Sequence, residues 1–301
     1  MNALIQELLA EKPVITDGAW GTEFQKQGLG PGQPADIWNL ECPHRVQAVA
    51  RAYVDAGSRI ILTNTFQSSR IALGRHGLAG RVVDINRAGV EISRRAAGER
   101  AYVFASMGPS GKLLVSGDVT EAELETAFAE QAQALAAAGA DALVVETMSD
   151  LDEARLAVSA ARATGLPVVA CMAFDSGKNR DRTMMGATLQ QAATVLTAAG
   201  ADVIGANCGQ GVEGFLALYR GLASATDRPI WLKPNAGSPE IVDSQTVYRT
   251  TAEDFARAAM PLCDAGAVFV GGCCGTTPAF VRALAAALGR SGGFIPPSLI
   301  G

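Results

Sequence analysis

Residues 268–278, VFVGGCCGTTP, read as a buried strand that ends in two adjacent cysteines. The apolar, β-branched start of this stretch is typical of a strand that is covered on both faces. Neighbouring side chains of a regular strand point to opposite faces, so Cys273 and Cys274 can face one ligand only where the backbone turns. The adjacent glycines permit such a turn. A second apolar run that ends in a thiol, VIGANCG (203–209), supplies Cys208.

Three thiols at strand ends favour a metal site with an open fourth position, and zinc is the common ion that suits thiolate ligands best. Two alternatives stay open on residue chemistry alone. Cysteine is among the most buried residue types, so the adjacent pair can be inert core, and it can also form a strained vicinal disulfide. Asn235 ends the predicted strand between those of the cysteines, and it is a candidate fourth metal ligand or mouth residue.

Composition indicates a globular protein. The 301 residues are 49% hydrophobic and 18% charged, and the net charge is -5. A negative charge without a Lys/Arg cluster argues against nucleic acid or an anionic membrane as partner. The chain has neither an apolar run of about 18 residues nor the basic start of a signal peptide. We therefore expect a cytoplasmic protein with reduced thiols, and an oligomer is compatible with the sequence.

Apolar runs alternate with helical patterns along the whole chain. Eight runs are predicted as strands, at residues 14–18, 59–64, 101–108, 142–147, 168–174, 203–208, 229–235 and 268–274. Each is followed by a predicted helix, and eight such units match an α/β fold of the (β/α)8 TIM barrel type. An open doubly wound sheet is the alternative. We expect one barrel domain over residues 1–289 and a tail or linker over residues 290–301.

The predicted strand ends supply candidates for substrate binding. Barrel enzymes carry their chemistry on the loops after the strands, and those loops are the long ones here. Asp17 and Glu146 are carboxylates at strand ends that would bind a substrate ammonium group. Capping of a loop or pairing with a basic side chain is the alternative for both. Backbone N–H groups around Ser106, Met107 and Gly108 are candidates for holding a substrate carboxylate.

One glycine pattern does not indicate a dinucleotide site. Gly209, Gly211 and Gly214 spell GxGxxG after a strand and before a helix. About 20 residues later, the next strand ends in Lys-Pro-Asn, where the dinucleotide pattern requires an acidic residue. We therefore expect neither a nicotinamide nor a flavin cofactor.

Seven motifs together give the chain a resemblance to a known family. They are DGAWGTEF (17–24), LTNTF (62–66), GPSG (108–111), VVET (144–147), GANCG (205–209), KPNAGSP (233–239) and GGCCGTTP (271–278). In order and spacing they resemble the homocysteine S-methyltransferase family, most of all the homocysteine-binding module of cobalamin-dependent methionine synthase.

The resemblance implies a zinc-dependent methyltransferase that binds homocysteine as a thiolate and methylates it to methionine. It implies that Cys208, Cys273 and Cys274 hold Zn²⁺ and serve as the catalytic residues. The substrate-binding residues are then expected to be Asp17, Gly18, Thr22, Glu23, Ser106, Met107, Glu146 and Asn207.

The resemblance implies a methyl-corrinoid such as methylcobalamin as the methyl donor. The chain lacks an Asp-x-His-x-x-Gly corrinoid motif, so we expect a separate protein to carry the corrinoid. S-methylmethionine or betaine is the alternative, and a cationic methyl group suits an aromatic cage. The sequence also leaves open a different thiol or selenol acceptor, a corrinoid-linked demethylase and a non-catalytic zinc-thiolate barrel that binds a partner. The donor-side candidates are Trp20, Phe24, Trp38, Asn64 and Phe66.

Overall fold

Parallel strands form the centre of the protein in the computed structural model, which describes residues 2–242 and 245–290. Eight of them lie within these residues: β1 (Val14–Ile15), β2 (Ile60–Ile61), β3 (Tyr102–Met107), β4 (Ala142–Met148), β5 (Val168–Met172), β6 (Val203–Gly211), β7 (Ile230–Asn235) and β8 (Phe269–Val270). The tail expected over residues 290–301 lies outside the described residues except for Arg290, and the domain boundary stays a prediction.

The sheet closes on itself. Its hydrogen-bonded order runs from β1 through β8, β7, β6, β5, β4 and β3 to β2. A parallel bridge between Thr16 and Ile60 then joins the two end strands, and the Arg59 N–H donates to the Ile15 carbonyl at 2.8 Å. The closed ring confirms the (β/α)8 barrel and excludes an open doubly wound sheet.

A helix follows each strand on the outside of the barrel. These helices are Pro43–Ala56, Val82–Ala97, Glu121–Ala137, Leu151–Arg162, Leu189–Ala198, Val212–Ala223, Ala252–Asp264 and Pro278–Ala287. Capping boxes begin two of them, at Thr120 with Glu123 and at Thr188 with Gln191. Each predicted helix is therefore present, and its observed ends lie within two residues of the predicted ones.

The structure also contains shorter helices and a hairpin outside the eight strand–helix units. They are the helices Ala3–Ala10, Gly21–Lys26, Ala35–Ile37, Trp38–Glu41, Arg70–Gly74 and Ala79–Arg81, and a hairpin of Glu240–Val242 with Gln245–Val247. All except the first lie on loops that leave a barrel strand. In the described part of the chain, none of the helices has the length and apolar character needed to cross a bilayer.

Apolar side chains fill the interior of the barrel. Trp231 of β7 packs against Phe104 and Phe269, with ring centroids 6.0 and 5.3 Å apart. Ile5 and Leu8 of the N-terminal helix belong to the same buried cluster. Because the interior is packed, a ligand has room only at the carboxyl ends of the strands.

The period of two along each strand then decides which side chains point into the barrel mouth. Ser106 follows the interior residue Phe104 of β3 by two positions, and Glu146 follows Val144 of β4 in the same way. Lys233 likewise follows Trp231 on β7. The layer above the packed core is therefore polar.

Candidate active site

Three thiols converge at the mouth of the barrel. The Sγ atoms of Cys208, Cys273 and Cys274 all lie within 4.8 Å of one another, and those of Cys208 and Cys274 are 3.8 Å apart. A tetrahedral zinc site with Zn–S bonds of about 2.3 Å has S···S edges of about 3.8 Å. The donor set and its spacing therefore fit Zn²⁺. All six cysteines are free thiols, which contradicts the vicinal-disulfide alternative.

A left-handed bulge within β6 presents Cys208. Its φ angle is +62°, and Gly209 continues the bulge with φ +78°. A non-glycine residue in this region is uncommon and is enriched at functional sites. The bulge breaks the strand alternation, so the consecutive residues Asn207 and Cys208 both reach the mouth.

Hydrogen bonds to β7 hold the other two cysteines. The Cys273 N–H donates to the Pro234 carbonyl at 2.7 Å, and the Cys274 carbonyl accepts from the Ala236 N–H at 2.9 Å. Gly275 then turns the chain with φ +81°, and a Cβ atom there would lie 2.3 Å from the Tyr248 ring. The adjacent thiols therefore reach one point because β8 ends in a turn that is bonded to its neighbour.

The thiol cluster by itself stabilises one negative charge. Hydrogen bonds from Cys273 and then from Cys274 lower the pKa of Cys208 to about 3. The interaction with Cys208 in turn raises the pKa of Cys274 to about 12, and it raises the pKa of Cys273 as well. A second thiolate at this spacing is repelled by the first, so full ionisation requires a cation.

Asn235 at the end of β7 borders the cluster. Its side chain hydrogen-bonds Cys208, and its buried Oδ1 has no hydrogen-bond partner among the described residues. Leaving a buried polar atom unpaired is costly. Rotation of the amide would turn this oxygen toward a cation held by the thiols, so Asn235 as a fourth ligand stays a prediction.

A cavity of about 440 Å³ opens above the thiols. Most of the residues expected at the site line it: Gly18, Trp20, Thr22, Asn64, Phe66, Ser106, Glu146, Cys208, Cys273 and Cys274. The hydroxyl of Thr22 is buried and has no partner in the described part of the chain, so it is available to a ligand. Asp36, Arg75 and His76, which sequence reasoning did not single out, also line the cavity.

Seven of the predicted residues are not part of the cavity wall: Asp17, Glu23, Phe24, Trp38, Met107, Asn207 and Asn235. Phe24 and Trp38 pack edge to face in the apolar core, with centroids 5.4 Å apart, and Met107 is fully buried in the same core. Glu23 pairs with Lys26 at 2.6 Å. The expected contacts of these last four residues with substrate or donor stay predictions, and this arrangement does not support them.

Asp17 is fully buried behind the wall and already has three partners. Its Oδ1 lies 2.5 Å from Nζ of Lys233. Its Oδ2 accepts from the Leu62 N–H and from Nε1 of Trp20, each at 2.7 Å. The alternative of pairing with a basic side chain is therefore the one that the structure shows, and direct binding of a substrate ammonium group stays a prediction.

Glu146 does face the cavity. Its Oε1 accepts from the Ser106 hydroxyl at 2.5 Å, and Nδ2 of Asn207 lies 3.5 Å from its Oε2. The same Nδ2 lies 3.8 Å from Sγ of Cys273. Burial raises the pKa of Glu146, and the charge of Lys233 partly offsets that effect. A single side chain, Asn207, thus separates the carboxylate from the sulfur cluster.

Sequence reasoning missed Lys233. The side chain is 3% exposed and lines the cavity beside Glu146. A signal was present, because Trp231, Lys233 and Asn235 alternate along β7 and a lysine is rare inside an otherwise apolar strand.

Comparison with known proteins identifies the family of the chain. Residues 14–288 match the model of the family described as homocysteine S-methyltransferase. The chain is 32% identical to methionine synthase of Mycobacterium tuberculosis over 94% of its own length and 25% of that protein, so it spans about a quarter of that relative. It is 28% identical to betaine–homocysteine S-methyltransferase 1 of Mus musculus over 99% of its own length and 77% of that protein.

The metallated form of the homocysteine methyltransferase MmuM from Escherichia coli is similar in structure. The TM-score is 0.78 at 23% identity, and the match covers 94% of this chain and 99% of the other. At this identity the likeness supports the barrel fold alone.

Proposed function

The chain belongs to the homocysteine S-methyltransferase family, and we propose that it transfers a methyl group to the sulfur of homocysteine to give methionine. The observation that carries the proposal is the convergence of Cys208, Cys273 and Cys274 at the floor of a cavity that also presents Glu146. The three thiols would hold Zn²⁺, with Asn235 as an exchangeable fourth ligand.

When bound there, Zn²⁺ supplies a Lewis acid that lowers the pKa of an incoming thiol from its ordinary value of about 8.5. The side chains of the protein position the substrate. Glu146 accepts hydrogen bonds from the substrate ammonium group, and Asn207 holds the distance between that carboxylate and the sulfur cluster. The substrate sulfur then attacks the methyl carbon, an S–C bond forms, and the donor leaves with the electron pair of the bond that breaks.

We further propose that the methyl group comes from a methyl-corrinoid on a separate protein or module. A small cationic donor needs an aromatic cage, whereas Trp20 and Phe66 are the aromatic side chains among the described residues that line the cavity. Apolar side chains around the mouth favour a macromolecular donor. Val115, Met184 and Ile241, on loops after β3, β5 and β7, are 77%, 64% and 74% exposed.

A donor panel tests the proposal. Zinc-loaded protein is incubated with homocysteine and, in parallel, methylcobalamin, S-methylmethionine, betaine and S-adenosylmethionine, and methionine is followed by chromatography. Formation of methionine from methylcobalamin alone supports the corrinoid donor, and formation from a small onium donor alone supports the alternative. Homocysteine binding without methionine from any donor contradicts catalysis by this chain and supports a binding module.

A further inference from the structure

We propose that Lys233 recognises the α-carboxylate of the substrate and that Asp17 positions the Lys233 ammonium group for this contact. The inference rests on the proposed function, since it identifies the residue by which the same site selects an amino-acid thiol over a simple thiol.

Lys233 has unused hydrogen-bonding capacity at the cavity. An ammonium group has three N–H donors. The described residues provide one hydrogen-bond acceptor for it, Oδ1 of Asp17 at 2.5 Å. The side chain stands directly above the packed ring of Trp231 and is part of the cavity wall. The remaining N–H donors are therefore available to a ligand.

Lys233 also keeps its charge. Its Nζ forms a buried ion pair with Oδ1 of Asp17 at 2.5 Å, and an adjacent carboxylate favours the ammonium form. A buried ion pair contributes little to stability compared with apolar residues of similar volume. Stability therefore does not account for a charged pair at this position, whereas binding of an anion does.

Two backbone donors that the sequence suggested for a substrate carboxylate are already engaged. The Ser106 N–H donates to the Thr63 hydroxyl at 3.0 Å, and the Gly108 N–H donates to the Phe66 carbonyl at 2.8 Å. The backbone site that the sequence suggested around these residues is thus occupied within the fold. The remaining basic side chains on the wall, Arg75 and His76, are exposed at the rim.

The position of Lys233 suits an α-amino acid. Asn207 of β6 is paired in register with Lys233 of β7, and its Nδ2 lies 3.5 Å from Glu146 and 3.8 Å from the sulfur of Cys273. The lysine thus comes from the strand next to Asn207, and the Asn207 side chain lies between the carboxylate and the sulfur cluster. Homocysteine carries its ammonium and carboxylate on one carbon, two methylene groups from its sulfur, so Glu146 and Lys233 can hold the head while the thiol reaches the cluster.

Binding calorimetry on the zinc-loaded protein without a methyl donor tests this assignment. The ligands are homocysteine, 3-aminopropane-1-thiol, which lacks the carboxylate, and 4-mercaptobutanoate, which lacks the ammonium group. The main variant is D17N/K233M, because removal of the lysine alone would leave a buried unpaired carboxylate. E146Q is the matched control, because it removes the carboxylate that is proposed to bind the substrate ammonium group.

We expect D17N/K233M to bind homocysteine about 10- to 100-fold more weakly, as for the loss of a charge-assisted hydrogen bond, and to bind the aminothiol as the wild type does. E146Q should weaken both ammonium-bearing thiols and leave 4-mercaptobutanoate unchanged. Equal losses for homocysteine and the aminothiol in D17N/K233M, or an undiminished affinity for homocysteine, would overturn the assignment.

The single variant D17N provides the same test if the double variant does not fold. Because D17N releases Lys233, it should weaken the binding of homocysteine and leave the binding of the aminothiol unchanged. If Asp17 instead contacts the ammonium group directly, D17N would weaken the binding of both ligands, and that result would overturn the positioning role. Failure of the wild type to bind homocysteine would instead contradict the proposed function, so the two failures are distinguishable.

Discussion

The sulfur atoms of Cys208 and Cys274 lie 3.8 Å apart although 66 residues separate the two cysteines in the chain. Two strand ends, β6 and β8, bring them together across the end of β7. Because thiols this close cannot all ionise in the absence of a cation, the cluster links metal binding to protonation.

Metal uptake should therefore release protons. The cluster of the metal-free protein holds one thiolate, so binding of Zn²⁺ at pH 7 is expected to release about two protons. Calorimetric titration in buffers of different ionisation enthalpy measures this number. Release of no proton would contradict coordination by all three sulfurs.

Substitution of one thiol should remove the metal and the activity together. Cys208→Ala leaves two sulfur donors, and we expect substoichiometric zinc after dialysis and no methionine formation. Elemental analysis and the donor panel measure the two quantities. Cys263→Ala is the control, since Cys263 is free but outside the cluster, and it should keep both. A Cys208→Ala protein that retained zinc and turnover would refute the metal site.

Gly275→Ala should weaken zinc binding. The residue has φ +81°, and a Cβ atom would lie 2.3 Å from the ring of Tyr248, so the turn that holds Cys273 and Cys274 must shift. Gly139→Ala is the matched control, with φ +90° and no atom within 4 Å of the added carbon.

Both glycine variants should lose about 1–2 kcal/mol of unfolding free energy through backbone strain. Zinc competition with a chelator should show weaker binding for Gly275→Ala alone. Equal zinc affinities in the two variants would show that the turn tolerates the shift.

Glu146→Gln should stabilise the metal-free protein at neutral pH while it weakens homocysteine binding. Burial raises the folded-state pKa of Glu146 above its ordinary value of 4.5, so wild-type stability falls as pH rises through that raised pKa. A glutamine at this position does not ionise, so its burial carries no penalty for a charged form.

The advantage of the Glu146→Gln variant should be absent below about pH 4.5 and reach about 1.4 kcal/mol for each unit of pKa elevation at higher pH. Denaturant unfolding between pH 4 and pH 8 measures it. A glutamine variant that is less stable than the wild type at pH 8 would contradict the prediction.

Ser106→Ala should shift the pH dependence of homocysteine binding upward. The Ser106 hydroxyl donates to Glu146 and thereby lowers its pKa, so removal of the hydroxyl raises the pKa further. Calorimetry at several pH values measures the midpoint. The affinity for 4-mercaptobutanoate, which has no ammonium group, should keep the wild-type midpoint, and an equal shift for both ligands would point to an effect on the thiol.

The strands and the thiols were predictable from the sequence for local reasons. An apolar run that ends in a glycine-rich turn shows where a buried strand stops, so Cys208, Cys273, Cys274 and Glu146 could be placed at strand ends. Eight repeats of strand and helix then predicted the barrel, and barrel topology puts every strand end at one mouth.

The directions of side chains on the mouth loops were not predictable in this way. Trp20 and Phe66 line the cavity whereas Phe24 and Trp38 pack into the core, although all four are aromatic residues on mouth-side loops. The choice depends on packing between different elements, such as the edge-to-face contact of the Phe24 and Trp38 rings at 5.4 Å.

The sequence by itself determined the barrel, its working end and the sulfur donors, because strand periodicity and turn chemistry are local properties. Only the tertiary structure decided that Asp17 pairs with Lys233, which lies 216 residues away. That pair forms because closure of the sheet brings β7 within reach of the end of β1, and a buried charge must find its partner wherever closure places one.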